Sequence, residues 1–152
     1  MPITVRPAGP ADRDAVGGMI GAFMDYLEAI EPHEGEAPSL DYLLDQSFGP
    51  APVCATLIAE QDGTPVGYVG YHLGVWEIYR VVYVISLFVR AEARGSGAGR
   101  ALVGATKAIA RAHQAKRLVW EVWRKNPVAI DFYRSIGGEV HDDNLRMSLV
   151  VE

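Results

Sequence analysis

The stretch "VRAEARGSGAGRAL", Val89–Leu102, decides how the chain is read. The apolar run "VVYVISLFV" (81–89) enters it, with no polar face, as a central strand would. Leu102, Ala105, Ile109 and Ala112 leave it at helical spacing. Between them lie Arg94, Gly95, Ser96, Gly97, Ala98, Gly99 and Arg100, small residues bracketed by two guanidinium groups. The first N–H groups of a helix lack internal partners and carry partial positive charge. Glycines let a ligand reach those amides, so the loop reads as an anion site for a phosphate or pyrophosphate. A flexible loop of small residues is the plainer reading that spacing alone leaves open. A Walker loop would end in Gly-Lys-Ser/Thr, which is missing. A dinucleotide fingerprint begins at Gly95 and Gly97 but meets arginine at position 100, and no β-α-β unit precedes it.

Outward from the loop, the rest of the chain parses into alternating elements. "ITVRPA" is a short strand, and Asp12 is the expected cap of a helix from Ala15 to Ile30. Ser39 caps a second helix, "LDYLLDQSF". Strands follow at Val53–Gln61, Val66–Val75 and Val81–Val89, with a turn at "DGTP". After the glycine loop and its helix come a strand over 117–123, a helix "NPVAIDFYRSIG" ending at Gly137, and strands in "GEVHDD" and "LRMSLVV". The expectation is a single α/β (α+β) domain over 1–152. Its mixed central sheet has about seven strands, helices on both faces, and the order β-α-α-β-β-β-α-β-α-β-β.

The 152 residues suffice for one core, and 49% are hydrophobic. No apolar run is long enough to span a membrane, and the N-terminus lacks a secretory pattern, so a soluble cytoplasmic protein is expected. Cys54 is the one cysteine and reads as a packed thiol; with four scattered histidines, no metal site is expected. Charge is segregated. Residues 1–79 hold twelve acids and two arginines, with no lysine or arginine from Asp14 to Tyr79. Residues 80–152 hold twelve lysines and arginines and seven acids. A basic half suits phosphates and an acidic half a cation, although segregated solvated surface gives the same count. The basic residues are interspersed, which argues against nucleic acid as partner.

Together "LFVRAEARGSGAGRALV" and "NPVAIDFYRSIGG" resemble the GCN5-related N-acetyltransferases. The first matches their acetyl-coenzyme A signature, Arg/Gln-x-x-Gly-x-Gly/Ala. The second matches a helix begun by asparagine and carrying an aromatic pair before a glycine: Asn126, Phe132, Tyr133 and Gly137. The likeness covers essentially the whole chain. Within the family it is nearest to diamine acetyltransferases, with one departure. Those enzymes carry two acidic residues where this chain has Ile85 and Ser86.

The resemblance implies acetyl-coenzyme A as co-substrate. The backbone of Leu87, Phe88 and Val89 would hold the pantetheine arm and polarise the thioester. Arg94 to Arg100 would take the pyrophosphate. Asn126 and Phe132 would lie beside the cofactor, although the sequence by itself favours Asn126 as a plain helix cap. Tyr133 is the expected acid for the departing thiolate. Glu28, Glu77 and Glu121 are candidate bases. Tyr26, Glu28, Trp76, Ser86 and Glu121 are expected on the acceptor side, with Tyr79 and Tyr83 as further aromatics. The expected activity is acetyl transfer to a primary amine, a small cationic one, by a homodimer. Protein, peptide or amino-acid acceptors, and a non-catalytic acyl-coenzyme A binder, are the alternatives.

Overall fold

The computed structural model describes residues 2–151. They fall into two compact units, one running through Glu121 and one from Val122 onward. The first unit is a five-stranded mixed sheet in the order β1-β2-β3-β4-β5. The strands are β1 (Ile3–Pro7), β2 (Ala55–Gln61), β3 (Thr64–Trp76), β4 (Tyr79–Val89) and β5 (Arg117–Val119). Pairs β1–β2, β2–β3 and β3–β4 are antiparallel, and β4–β5 is parallel. β4 is thus an interior strand, flanked by β3 and β5. Helices α1 (Arg13–Ile30), α2 (Leu40–Phe48) and α3 (Ala98–Ala112) complete the unit.

Alternation along the strands sorts side chains between two cores. Leu57, Ala59, Val69 and Val84 pack with Ala98 and Leu102 of α3 on one face. Ile58, Tyr68 and Phe88 pack with Val16, Met19 and Leu44 of α1 and α2 on the other. Two turns fit their sequences. Asp62 and Gly63 both take positive φ in the β2–β3 hairpin, and Ser39 Oγ accepts the Tyr42 N–H at 3.1 Å to cap α2. On α3 the buried row is Ala98, Leu102, Thr106 and Ala110, while Ala112 is exposed. Thr106 is tolerated at zero exposure because its hydroxyl donates to the Leu102 carbonyl at 2.8 Å. Cys54 is half-buried just before β2, and its Sγ lies 3.0 Å from Ser47 Oγ.

In the second unit, Pro127–Ser135 forms α4. Here the expectation of about seven strands fails: the described residues form five. β5 stops at Val119 rather than 123, and residues 139–151 form no strand. The alternation of Leu145, Met147, Leu149 and Val151 is a side-chain pattern, whereas a strand also requires a ladder partner. These four side chains stand about 90% exposed. No helix among the described residues is long and apolar enough to cross a membrane.

Asp12 precedes α1 as expected, but its carboxylate does not cap that helix. It accepts from Arg6 Nη1 and Nη2, both at 2.8 Å, and from the Gly9 N–H at 2.7 Å. Arg6 Nε also donates to Glu60 of β2. The Arg6 hydrogen bonds first, then the Gly9 amide, hold the Asp12 carboxyl down at about 2 against its ordinary 3.8. A depressed carboxyl contributes stability above about pH 4 that is lost as pH falls towards 2. Arg6 is 43% exposed, so solvent screens part of this effect. In urea titrations between pH 6 and pH 2, Asp12→Asn is expected to lower the midpoint at pH 6. It should also flatten the wild-type loss between pH 4 and 2; parallel curves would exclude the linkage.

Candidate active site

The ladder between β3 and β4 runs from Gly67↔Val89 to Trp76↔Tyr79. On its other edge β4 meets β5 only at Val81↔Arg117, Val82↔Leu118 and Tyr83↔Val119. Among the described residues, Leu87, Phe88 and Val89 therefore pair with β3 alone. Their second edge offers main-chain hydrogen-bonding groups to whatever lies beside it. Phe88 is buried on the α1 face, and Leu87 and Val89 pack towards α3. What remains for a ligand here is backbone.

From Val89 the chain passes through a 3-10 turn, Ala91–Ala93, into the glycine loop. Gly95 and Gly97 take φ of +80° and +91°, the left-handed region costly for other residues. A Cβ built at either would meet nothing within 4 Å. The glycines are thus demanded by backbone conformation and face open space. Gly97 is the residue from which α3 starts; its carbonyl accepts the Ala101 N–H at 2.9 Å. Ser96 Oγ accepts from the Ala98 N–H at 3.3 Å. Ala98 itself is buried in the core, so it anchors the loop rather than facing a ligand. Arg94, Gly95, Gly97 and Arg100 are exposed. An anion-accepting helix start with open approach and two nearby arginines suits a phosphate or pyrophosphate group.

The acceptor-side candidates separate. The Arg94 guanidinium lies over the Tyr26 ring, 5.2 Å from its centroid, tying α1 to the glycine loop. Tyr26 also stacks with Phe23, which contacts Phe88. Glu28 is turned to local use: its carboxylate accepts the His33 N–H at 2.9 Å past the helix end. Trp76 sits at the β3–β4 hairpin under the Arg117 guanidinium, and Glu77 occupies the turn at positive φ. Ser86 Oγ donates to the Tyr68 hydroxyl at 3.3 Å. Burial pushes Tyr68 up to about 12, the Ser86 bond opposing this. Glu121, just beyond β5, accepts from the Tyr83 hydroxyl at 3.1 Å. The Tyr83 ring stacks on His72 of β3 at 5.1 Å. His72 escaped the sequence reading because only the cross-strand register His72↔Tyr83 brings it to this cluster.

In the second unit, Asn126 is buried and its Oδ1 accepts the Ala129 N–H at 3.2 Å, capping α4 with Pro127 at the first position. Tyr133 packs against Phe132 with ring centroids 5.4 Å apart. Burial pushes its phenol up to about 12, so the hydroxyl stays protonated at neutral pH.

Residues 20–137 match the family model described as the acetyltransferase (GNAT) family. No curated protein matches the sequence. Among solved structures, an integron cassette protein from the mobile metagenome of V. cholerae superposes with a TM-score of 0.75. It has 22% identity and covers 99% of this chain and 94% of its own. An aminoglycoside acetyltransferase from an uncultured soil metagenomic sample, in complex with sisomicin, gives 0.72 at 16% identity, covering 99% and 97%. A ribosomal-protein-alanine N-acetyltransferase from Brucella melitensis biovar Abortus 2308 gives 0.78 at 16%, covering 97% and 100%. At these identities the likeness is one of fold.

Introducing Glu at position 97 places a negative charge where an anion would sit. Asn tolerates left-handed φ and adds no charge. Isothermal titration with acetyl-coenzyme A is expected to show Gly97→Glu weakening binding at least tenfold more than Gly97→Asn. Equal affinities in two folded variants would remove the loop from the binding site.

Proposed function

The chain belongs to the acetyltransferase (GNAT) family, and from that premise we propose that it transfers the acetyl group of acetyl-coenzyme A directly to a primary amine, a small cationic one. The observation that carries this reading is the path from β4 into α3. A strand with one open edge leads into a helix start whose glycines leave the approach clear. Backbone groups of Leu87, Phe88 and Val89 hold the pantetheine arm in place of a sheet neighbour. The loop from Arg94 to Arg100 takes the pyrophosphate. The bound co-substrate supplies an activated acetyl thioester. Tyr133, a neutral phenol at physiological pH, supplies a proton to the leaving sulfur. Asn126 serves first as the cap that orients α4.

The acceptor follows from charge. The acid-rich stretch between Asp14 and Tyr79 contains α1 and β3, which contribute Tyr26 and His72. A cation is drawn to such a surface. The soil-metagenome relative is an aminoglycoside acetyltransferase and the Brucella one acts as a ribosomal-protein-alanine N-acetyltransferase, so the fold itself admits both small and protein acceptors. Ile85 and Ser86 remove the acidic pair that a diamine enzyme would carry, so the cation is held by the wider field rather than by that pair.

Thiol release from acetyl-coenzyme A across polyamines, aminoglycosides, amino acids and peptides tests the reading. A chain that binds the coenzyme and turns over no amine would be a binding domain instead. Two outcomes are expected. Tyr133→Phe lowers kcat by about 10²–10⁴-fold with little change in coenzyme affinity, the scale of a lost acid; a loss within twofold would make Tyr133 structural. For a diamine, kcat/KM falls as salt rises, whereas an uncharged-tail amine of equal length responds less. Identical salt responses would sink electrostatic selection and bring peptide or amino-acid acceptors forward.

A further inference from the structure

We propose that the His72 imidazole takes the proton from the acceptor's ammonium group, a role that rests on the amine-transfer reading above. The residue lies on β3, half-buried, on the sheet face that also carries Tyr68 and, across the ladder, Tyr83 and Ser86. Its Nδ1 lies 3.0 Å from the Leu73 carbonyl oxygen. A carbonyl can only accept, so Nδ1 carries a hydrogen, and in the neutral ring the lone pair is then on Nε2. The ring's Nδ1–Cε1 edge lies towards Gly74, where an added Cβ would be 3.7 Å from Cε1. The Cδ2–Nε2 edge is therefore turned the other way along the strand, towards Gly70.

Gly70 is buried opposite Ser86 and contributes no side chain to this face. Only its backbone separates the Tyr68–Ser86 pair from the His72–Tyr83 stack along the strand. Two residues of strand span about 7 Å, a distance that an imidazole and one water bridge. The stack supports a positive charge once it forms. The Tyr83 ring lies within cation–π range of His72, and its hydroxyl donates to the Glu121 carboxylate behind it. Glu121 thereby acts through Tyr83, as a positioning residue.

The proton balance is complete. The ammonium R–NH3+ gives one proton to Nε2 and becomes R–NH2. The nitrogen lone pair forms a bond to the acetyl carbon as the carbon–sulfur bond breaks. A second proton leaves the nitrogen, one proton reaches the sulfur, and imidazolium returns its proton to water. The products are the acetamide, the free thiol and one proton released.

Amine basicity separates this role from a structural one. A simple alkyl amine has a pKa near ~10 and must be deprotonated, whereas a trifluoroethyl amine is already mostly neutral at pH 7. His72→Gln is expected to lower kcat at least about 10²-fold for the alkyl amine and less than about threefold for the fluorinated one, with KM for acetyl-coenzyme A unchanged. Tyr83→Phe keeps the ring and removes its hydroxyl's bond to Glu121, and should show a smaller loss with the same dependence on basicity. Equal losses with both amines, or no loss with either, would overturn the role of His72 while leaving the transfer reading intact. Wild-type protein that acetylates neither amine, nor any other in the panel, would overturn both.

Discussion

The long antiparallel ladder between β3 and β4 is the constraint on which the other features depend. Ten residue pairs hold β4 on one edge, so β4 needs little from its other neighbour. Three pairs suffice for β5, after which that chain is free to leave. A β4 shared equally between two neighbours would have no backbone left to offer. The same ladder sets the register that aligns Tyr83 with His72 and Ser86 with Gly70. It also delivers Val89 to the glycine loop, with the Arg90 N–H bonded to the Val66 carbonyl at 2.8 Å. Fold and candidate site are thus two readings of one set of hydrogen bonds.

The glycine loop adds a second, local constraint. Gly95 and Gly97 turn the chain through left-handed conformations so that α3 begins in the open, with Ala98 tucked into the core. A buried Ala98 fixes where the helix starts, and the start fixes where its free amides lie. Arg94 then has two uses: its guanidinium lies over Tyr26 of α1 while it remains exposed beside the loop. The glycine loop and α1 are joined at that contact.

Features written in consecutive residues were legible in the sequence. The loop glycines, the Ser39 and Asn126 caps, the Asp62–Gly63 turn and the first three strands could all be read from local chemistry. Features that depend on pairing across the chain were not. Arg6 meets Glu60 over a separation of 54 residues, His72 meets Tyr83 through register, and Glu28 turns back to a local amide. The final alternating stretch gave a strand signal, but a ladder needs a partner that spacing does not reveal. Placing Ala112 in the apolar stripe failed because α3 turns Thr106 and Ala110 inward instead. Only the satisfied hydroxyl of Thr106 explains why a polar residue fits there.

The irregularity between Gly70 and Tyr71, where β4 contributes the extra residue Ile85, shifts the phase of the strand. Val84 and Leu87 lie three residues apart yet pack on the same face, which strict alternation forbids. β4 therefore carries two out-of-step rhythms joined at Ile85, whose side chain stands 44% exposed. Length, and not only composition, becomes a heritable property of this strand. Removing Ile85 would put the two rhythms back in step and leave Phe88 facing α1 and Val89 facing α3. Substitutions at that exposed position leave the phase alone, and a single-codon deletion there would erase the irregularity while keeping each side chain in its own core.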